Sequence, residues 1–99
     1  MLKIEKQLTE KDLCILLQGR LDSQTSPQLE KEILDSIPGV EKLTLDMKEL
    51  EYISPAGLRV LLVAMKAMKN QGEMKLVSVG ETVRDILEVT GFADILTIE

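Results

Sequence analysis

The sequence predicts an α/β domain in which helices return over a mixed, mostly parallel β-sheet. Three observations predict it. Apolar residues alternate between strand-like and helix-like spacing along the chain, giving the order β-β-α-β-α-β-α-β. Turn and stop residues rich in Gly, Pro, Asn and Asp separate these stretches. The 99 residues, 44% of them hydrophobic, suit one domain over residues 1–99 built on one core, and no repeat, low-complexity segment or linker interrupts them.

Each element has its own signal. Leu2, Ile4 and Leu8 alternate with Lys3, Glu5 and Gln7, broken only at Lys6, as in an edge strand with one wet face. Thr9 to Asp12 is a polar turn. The continuous apolar run Leu13–Leu17, ending at Gly19, reads as a more buried strand that forms a hairpin with the first. Arg20 to Ser26 is a polar connection. Thr25 and Gln28 fit a capping box, Pro27 suits a first helical turn, and Leu29, Ile33, Leu34 and Ile37 repeat at helical spacing before Pro38-Gly39. Leu43, Leu45 and Met47 alternate along a third strand, with Lys48 to Tyr52 as a loop or strand extension. Leu58, Leu61, Leu62, Met65 and Met68 mark a second helix, widened by Val60, Ala64 and Ala67 and stopped at Asn70-Gln71-Gly72. Met74 to Val79 is a fourth strand. Val83, Ile86, Leu87 and Thr90 make a third helix, Gly91 suits the left-handed position after it, and Ile95, Leu96 and Ile98 suggest a short last strand.

Composition removes several functions. Aromatic residues are 2% of the chain and the net charge is -5, so neither base stacking nor phosphate neutralisation favours nucleic acid. No apolar run approaches the roughly 18 residues of a membrane span, and the start of the chain is not a signal peptide, so a cytoplasmic location is expected. Cys14 is the one cysteine and reads as a buried structural thiol. With no histidine there is no Ser-His or Cys-His pair and no usual zinc ligand. Neither a cofactor nor a metal is expected. An enzyme would have to use Asp22, Asp46 or Ser54, and each has a duller role: a loop turn, a strand-end charge and a helix cap.

The stretch "EYISPAGLRVLL", Glu51–Leu62, places Ser54-Pro55-Ala56-Gly57 where a strand turns into a helix. Ser54 is a good N-cap and Pro55 a good first helical residue. Gly57 is a poor choice within a helix, costing about 0.8–1 kcal/mol relative to Ala, and would make sense if a partner or a phosphate came close to the backbone. The corner also follows a central strand at its carboxyl end, where open α/β sheets place their sites.

The run "LTLDMKELEYISPAGLRVLL" resembles the central motif of the STAS domain, best known in bacterial anti-sigma-factor antagonists. "LLQGRLDSQTSPQLE" and "MKLVSVGETVRDILEVTGFADIL" resemble the segments that flank that motif in the family, so the likeness runs over nearly the whole chain. It implies a four- or five-stranded mixed sheet with about three helices mainly on one side. It also implies a regulatory protein-binding module. Such a module binds an anti-sigma factor that is often a serine kinase, frees a sigma factor, is switched off by phosphorylation at the corner, and is restored by a phosphatase. Aligned on Gly57, the family's phosphoacceptor position falls on Pro55, which has no hydroxyl, and Ser54 falls one position earlier. Either Ser54 has become the acceptor, or the usual switch is lost and binding is constitutive or otherwise regulated. The second reading is favoured, because Pro55 stiffens the backbone and Ser54 serves as a cap. The implied contact surface is the Asp22–Ser26 loop, the corner of Ser54, Pro55, Ala56 and Gly57, and the exposed face of the second helix at Arg59. The alternative is a cytoplasmic accessory subunit of an ABC-type lipid transporter. A nucleotide-binding role without turnover is a further alternative implied by the resemblance.

Overall fold

A computed structural model describes all 99 residues. The chain runs β1 (Leu2–Thr9), β2 (Asp12–Leu21), α1 (Ser26–Ser36), β3 (Lys42–Ile53), α2 (Pro55–Lys69), β4 (Glu73–Val77) and α3 (Glu81–Val89), followed by a 3-10 turn at Phe92–Asp94. The strands form one sheet in the order β1-β2-β3-β4. β1 pairs antiparallel with β2 across the Glu10-Lys11 turn, while β2–β3 and β3–β4 are parallel. The predicted mixed, mostly parallel sheet and three helices are present.

The strand period decides the core. Leu13, Ile15 and Leu17 of β2, Leu43, Leu45 and Met47 of β3, and Leu76 of β4 are buried, and Leu29, Ile33, Leu58, Leu61, Ala64 and Met68 from α1 and α2 belong to the same cluster. The alternate residues Cys14, Leu16, Thr44 and Asp46 are only half-buried, so helices cover one face of the sheet and leave the other open. Lys6, which interrupts the alternation of β1, lies on the helix side. Its ammonium reaches Glu32 (2.7 Å) and Ser36 (3.1 Å) of α1, so its stem lies over the core while its charge is met.

Several local expectations are corrected. The Thr25–Gln28 capping box does not form: Thr25 already has helical φ and ψ and makes no side-chain bond to its helix. The connection is shorter than expected because β2 continues through Arg20 to Leu21. Of the two readings of Lys48 to Tyr52, loop or strand extension, the structure bears out the strand. The pairing with β2 shifts register twice there, which carries the inward positions from Met47 to Leu50 and then Ile53. The predicted last strand is reduced to a single parallel bridge, Leu76 to Ile98, after the 3-10 turn. Cys14 sits half-buried on the open face. Burial, with the Asp46 carboxylate as the lesser cause, pushes its thiol pKa up, which favours the protonated thiol over the thiolate. Leu34, placed on the buried stripe by its spacing, is 41% exposed. Gly91 has φ +84°, as its position after α3 predicts.

Candidate functional site

Parallel pairing brings the carboxyl ends of β2 and β3 together, with Leu21 opposite Ile53. The chain leaves the sheet at both strands and enters α1 and α2 side by side. The two turns are tied directly, since the Ser54 N–H donates to the Leu21 carbonyl at 2.8 Å.

At the β3–α2 corner, Ser54 is extended (φ -95°, ψ 172°) and its Oγ accepts from the Gly57 N–H at 3.2 Å. The Leu58 N–H donates to the Ser54 carbonyl at 2.9 Å, which closes the first helical turn. Ser54 is 7% exposed, Pro55 is exposed and Ala56 is half-buried. Gly57 is buried, and this changes the meaning of its size. A methyl group there would stand 2.7 Å from Leu21 Cγ and 2.9 Å from Ile53 Cγ1. Its side-chain position faces the core, so the absence of a side chain lets α2 sit down on β2 and β3 and makes no room for a visitor.

The β2–α1 turn is built differently. Asp22 Oδ1 accepts from the N–H groups of Gln24 and Thr25, both at 3.0 Å. The Ser26 N–H donates to the Asp22 carbonyl at 2.9 Å, so a helical turn already starts at Asp22, and Asp22 serves as the cap that Thr25 does not provide. These donors, with Thr25's backbone N–H first, hold the Asp22 carboxyl below the usual aspartate range. Thr25 Oγ1 donates to the Arg20 carbonyl (2.9 Å) and accepts from the Asp22 N–H (2.9 Å). Ser26 Oγ donates to the Asp22 carbonyl. Ser23 and Gln24 remain exposed at the tip.

Between the turns, α1 and α2 leave a shallow groove of about 290 Å³ lined by Ser23, Ser26, Pro27, Glu30, Lys31, Leu34, Ala56, Arg59 and Val60. Arg59 is 73% exposed and only loosely paired, 3.9 Å from Glu30. Lys31 is turned to Asp35 at 2.8 Å, which raises its pKa. Of the sequence-predicted residues, Ala56 and Arg59 line this groove. Asp22, Ser54 and Gly57 hold the two turns that frame it, and Pro55 stands exposed at the start of α2. Sequence reasoning included Ser23 only as part of the Asp22–Ser26 loop, and it missed Leu34 as a groove residue and the Arg20–Tyr52 pair, in which the guanidinium lies 4.4 Å from the ring centroid beside the turns. The strand-like reading of Leu13–Leu17, carried four residues further, was the signal that could have placed Arg20 across from Tyr52.

A mixed four-stranded sheet with helices over one face carries, at the carboxyl end of its parallel strands, two capped strand-to-helix turns flanking a shallow groove. No helix is long and apolar enough to cross a membrane, and no cluster of three or more His, Cys, Asp or Glu residues is placed to hold a metal. The sequence pattern of the STAS domain matches residues 3–99, and the chain belongs to that family. It is 38% identical over 88 residues to BtrV of Bordetella bronchiseptica, named as an inferred anti-sigma factor antagonist, covering 87% of this chain and 76% of that one. It is 24% identical over 98 residues to the anti-sigma-B factor antagonist of Bacillus subtilis, covering 98% of this chain and 90% of that one. The structure of the anti-sigma factor antagonist SpoIIAA in its unphosphorylated form has the same fold, with a TM-score of 0.81 at 18% identity, covering 98% of this chain and 88% of that one.

Proposed function

We propose that this chain is an anti-sigma factor antagonist: a cytoplasmic binding module, not an enzyme, that captures an anti-sigma factor and so frees a sigma factor. Relatives that carry this function in their names match the chain over most of its length. The docking surface is the Asp22–Ser26 loop, the Ser54–Gly57 corner and Arg59. The observation that carries the reading is the geometry of the two turns. Both are fixed by backbone and capping bonds, they stand side by side, and they present a shallow groove with one loosely held cation. A pre-formed surface of this kind suits a protein partner that is bound and released, and a transient interface needs roughly 1,000 Å² or more.

The side chains of the site support binding over catalysis. Ser54 and Asp22 spend their oxygens on helix N–H groups, and no histidine is available to activate a hydroxyl. In this reading the anti-sigma partner is itself a serine kinase, with a phosphatase opposing it. Ser54 is not its target, because a hydroxyl that is 7% exposed and bonded into its own helix is poorly presented to another enzyme's active site.

The test is affinity capture with the full chain from extracts of its own cells, followed by mass spectrometry of the captured proteins. Recovery of an anti-sigma factor, lost on Arg59→Glu, is the expected result. Recovery of a transporter ATPase in its place would overturn the reading in favour of a transport accessory.

A further inference from the structure

The two ends of the sheet are finished differently. Beside β4, Thr97 to Glu99 cover part of the edge: the Leu76 N–H donates to the Thr97 carbonyl at 2.8 Å, the Glu99 N–H donates to the Leu76 carbonyl at 2.9 Å, and Lys75 holds Glu99 at 3.3 Å. β1 is the opposite end strand. It is eight residues long and is paired on one side only, with β2. An edge of that length is a template for another strand.

The register shows which groups this edge offers. The Met1 carbonyl accepts from the Arg20 N–H at 3.2 Å, and pairing runs unbroken from Leu2–Gly19 to Thr9–Asp12. Backbone polar groups alternate sides along a strand, so those of the odd positions face β2 and those of Leu2, Ile4, Lys6 and Leu8 face outward. The side chains of the same four residues share the helix side of the sheet, where Leu2 is buried and Lys6 reaches α1. A second copy adding its own β1 antiparallel, about a two-fold axis, must therefore set even positions against even positions. Centred on Ile4, such a pairing puts Lys6 against the second copy's Leu2. Centred on Glu5 it puts Lys6 against Ile4, centred on Lys6 against another Lys6, and centred on Gln7 against Leu8. The register centred on Lys6 is otherwise well matched. Ile4 meets Leu8, which is 61% exposed, Glu5 meets Gln7, and Lys3 meets Thr9. Its one conflict is lysine against lysine, and like charges directly opposite on a sheet repel.

From this placement we infer that Lys6 guards the edge: its charge on the helix side of β1 stops a second copy of this chain from adding its β1 strand and joining two sheets into one. In the single chain the ammonium is met by Glu32 at 2.7 Å and Ser36 at 3.1 Å from α1, and 40% of the Lys6 side chain stays in water. An incoming strand would take that water away. Leu2, Ile4, Lys6 and Leu8 of the second copy bring no side-chain acceptor to replace it, so the lysine that is satisfied in one chain is not satisfied in two. The α1–α2 groove takes no residue from β1, so the inference stands apart from the docking reading. It says that the groove is presented by a single copy.

The experiment replaces Lys6 with Val, which suits a strand, and with Pro, which loses the same ion pair but has no N–H to give at an edge. Sedimentation equilibrium of the full chain is run on wild type, Lys6→Val, Lys6→Pro and Glu32→Gln, each checked for fold by circular dichroism. The expected result is that Lys6→Val associates at least about tenfold more tightly than wild type, toward twice the mass of one chain. Lys6→Pro and Glu32→Gln stay single. Amide exchange locates the contact: the N–H groups at positions 4, 6 and 8 become protected in associated Lys6→Val and exchange freely in wild type. A folded Lys6→Val that sediments as wild type does, a wild type already paired through β1, or association of Lys6→Pro as tight as that of Lys6→Val would each overturn the inference. So would association of Glu32→Gln, which would trace the effect to the ion pair and not to the charge on β1. Precipitation of Lys6→Val alone, with Lys6→Pro soluble, supports the guard. Precipitation or unfolding of both variants makes Lys6 a requirement of the fold itself and overturns it. If only Lys6→Pro unfolds, the exchange at positions 4, 6 and 8 of Lys6→Val decides.

Discussion

Two chain reversals stand side by side at the carboxyl end of the sheet, and they are held by opposite means. The β2–α1 turn is closed by polar groups, with Asp22 accepting two N–H bonds and Thr25 bridging back to Arg20. The β3–α2 corner is closed by packing, with Gly57 set against Leu21 and Ile53 and one capping bond from Ser54. The difference is one of tolerance. A hydrogen-bonded loop keeps its shape while its tip, Ser23 and Gln24, stays in water and free to vary. A packed corner admits no added methyl and keeps its one hydroxyl out of reach. The rigid turn therefore sets the geometry of the surface, and the polar turn is where that surface can be altered.

This contrast is easiest to break at its apolar half. Leu21→Ala removes the side chain against which Gly57 rests and should cost about 2–5 kcal/mol, the usual range for emptying a buried leucine site. Gly57→Ala should also destabilise, although alanine is the better helix former by about 0.8–1 kcal/mol. The new methyl meets the branch point of Leu21 and Ile53 Cγ1, neither of which is the free end of a flexible chain, and such overpacking costs about 1–3 kcal/mol. The two changes together should cost less than their sum, because removing Leu21 Cγ and Cδ2 makes room for the methyl. Urea unfolding of the four proteins decides it. Strict additivity would mean that the corner is not shaped by this contact.

The capping bond comes next in size. Ser54→Ala should cost about 1 kcal/mol, while Ser54→Gly should cost only a few tenths, since glycine keeps the extended cap conformation and admits water to the Gly57 N–H. Thermal unfolding resolves the two, as 1 kcal/mol moves the midpoint of a 60–100-residue domain by roughly 4–8 °C. Partner capture should survive both changes. If it is lost in Ser54→Gly while the fold persists, the hydroxyl has a role at the surface beyond its helix.

The apolar framework beneath the two turns was legible in the sequence, and the contacts that close the turns were legible only in part. The continuous apolar run Leu13–Leu17, the alternation in Leu43–Met47 and the helical spacing from Leu58 to Met68 made strands, helices and their order readable, because burial follows backbone period directly. Ser54 and Pro55 were readable as a cap and first turn because those bonds are local. Gly57 was misread because its neighbour Leu21 lies 36 positions away in the chain and reaches it only through parallel pairing of β2 with β3. Lys6 looked like a flaw in β1 for the same reason: its partners Glu32 and Ser36 are brought in by α1. The cap of α1 was misassigned because Thr25 and Asp22 are both good caps, and the structure shows a turn that begins at Asp22, three residues before Thr25. The local capping bond of Ser54 was visible in the sequence, the equally local bonds of Asp22 were not told apart from a Thr25 cap, and contacts made by folding distant segments together were not visible at all.

The smallest expected effect belongs to the polar turn, and pH isolates it. Asp22's carboxyl is held below its ordinary value by the Thr25 and Gln24 N–H groups, so the folded chain takes up this proton at lower pH than the unfolded chain does. Its contribution to stability is therefore fully present above the unfolded value near 3.9 and is lost as pH falls through the lower folded value. Asp22→Asn keeps an oxygen in place to accept both N–H bonds but cannot titrate. The expected outcome is a small difference between wild type and Asp22→Asn at pH 7 that shrinks further as the pH is taken below about 4. Urea unfolding at pH 7, 5, 4 and 3 measures it. A difference that holds constant through the acid range would show that the turn is kept by its backbone bonds and the Thr25 bridge without help from the carboxylate's charge. In that case the polar turn would be as indifferent to pH as the packed corner beside it.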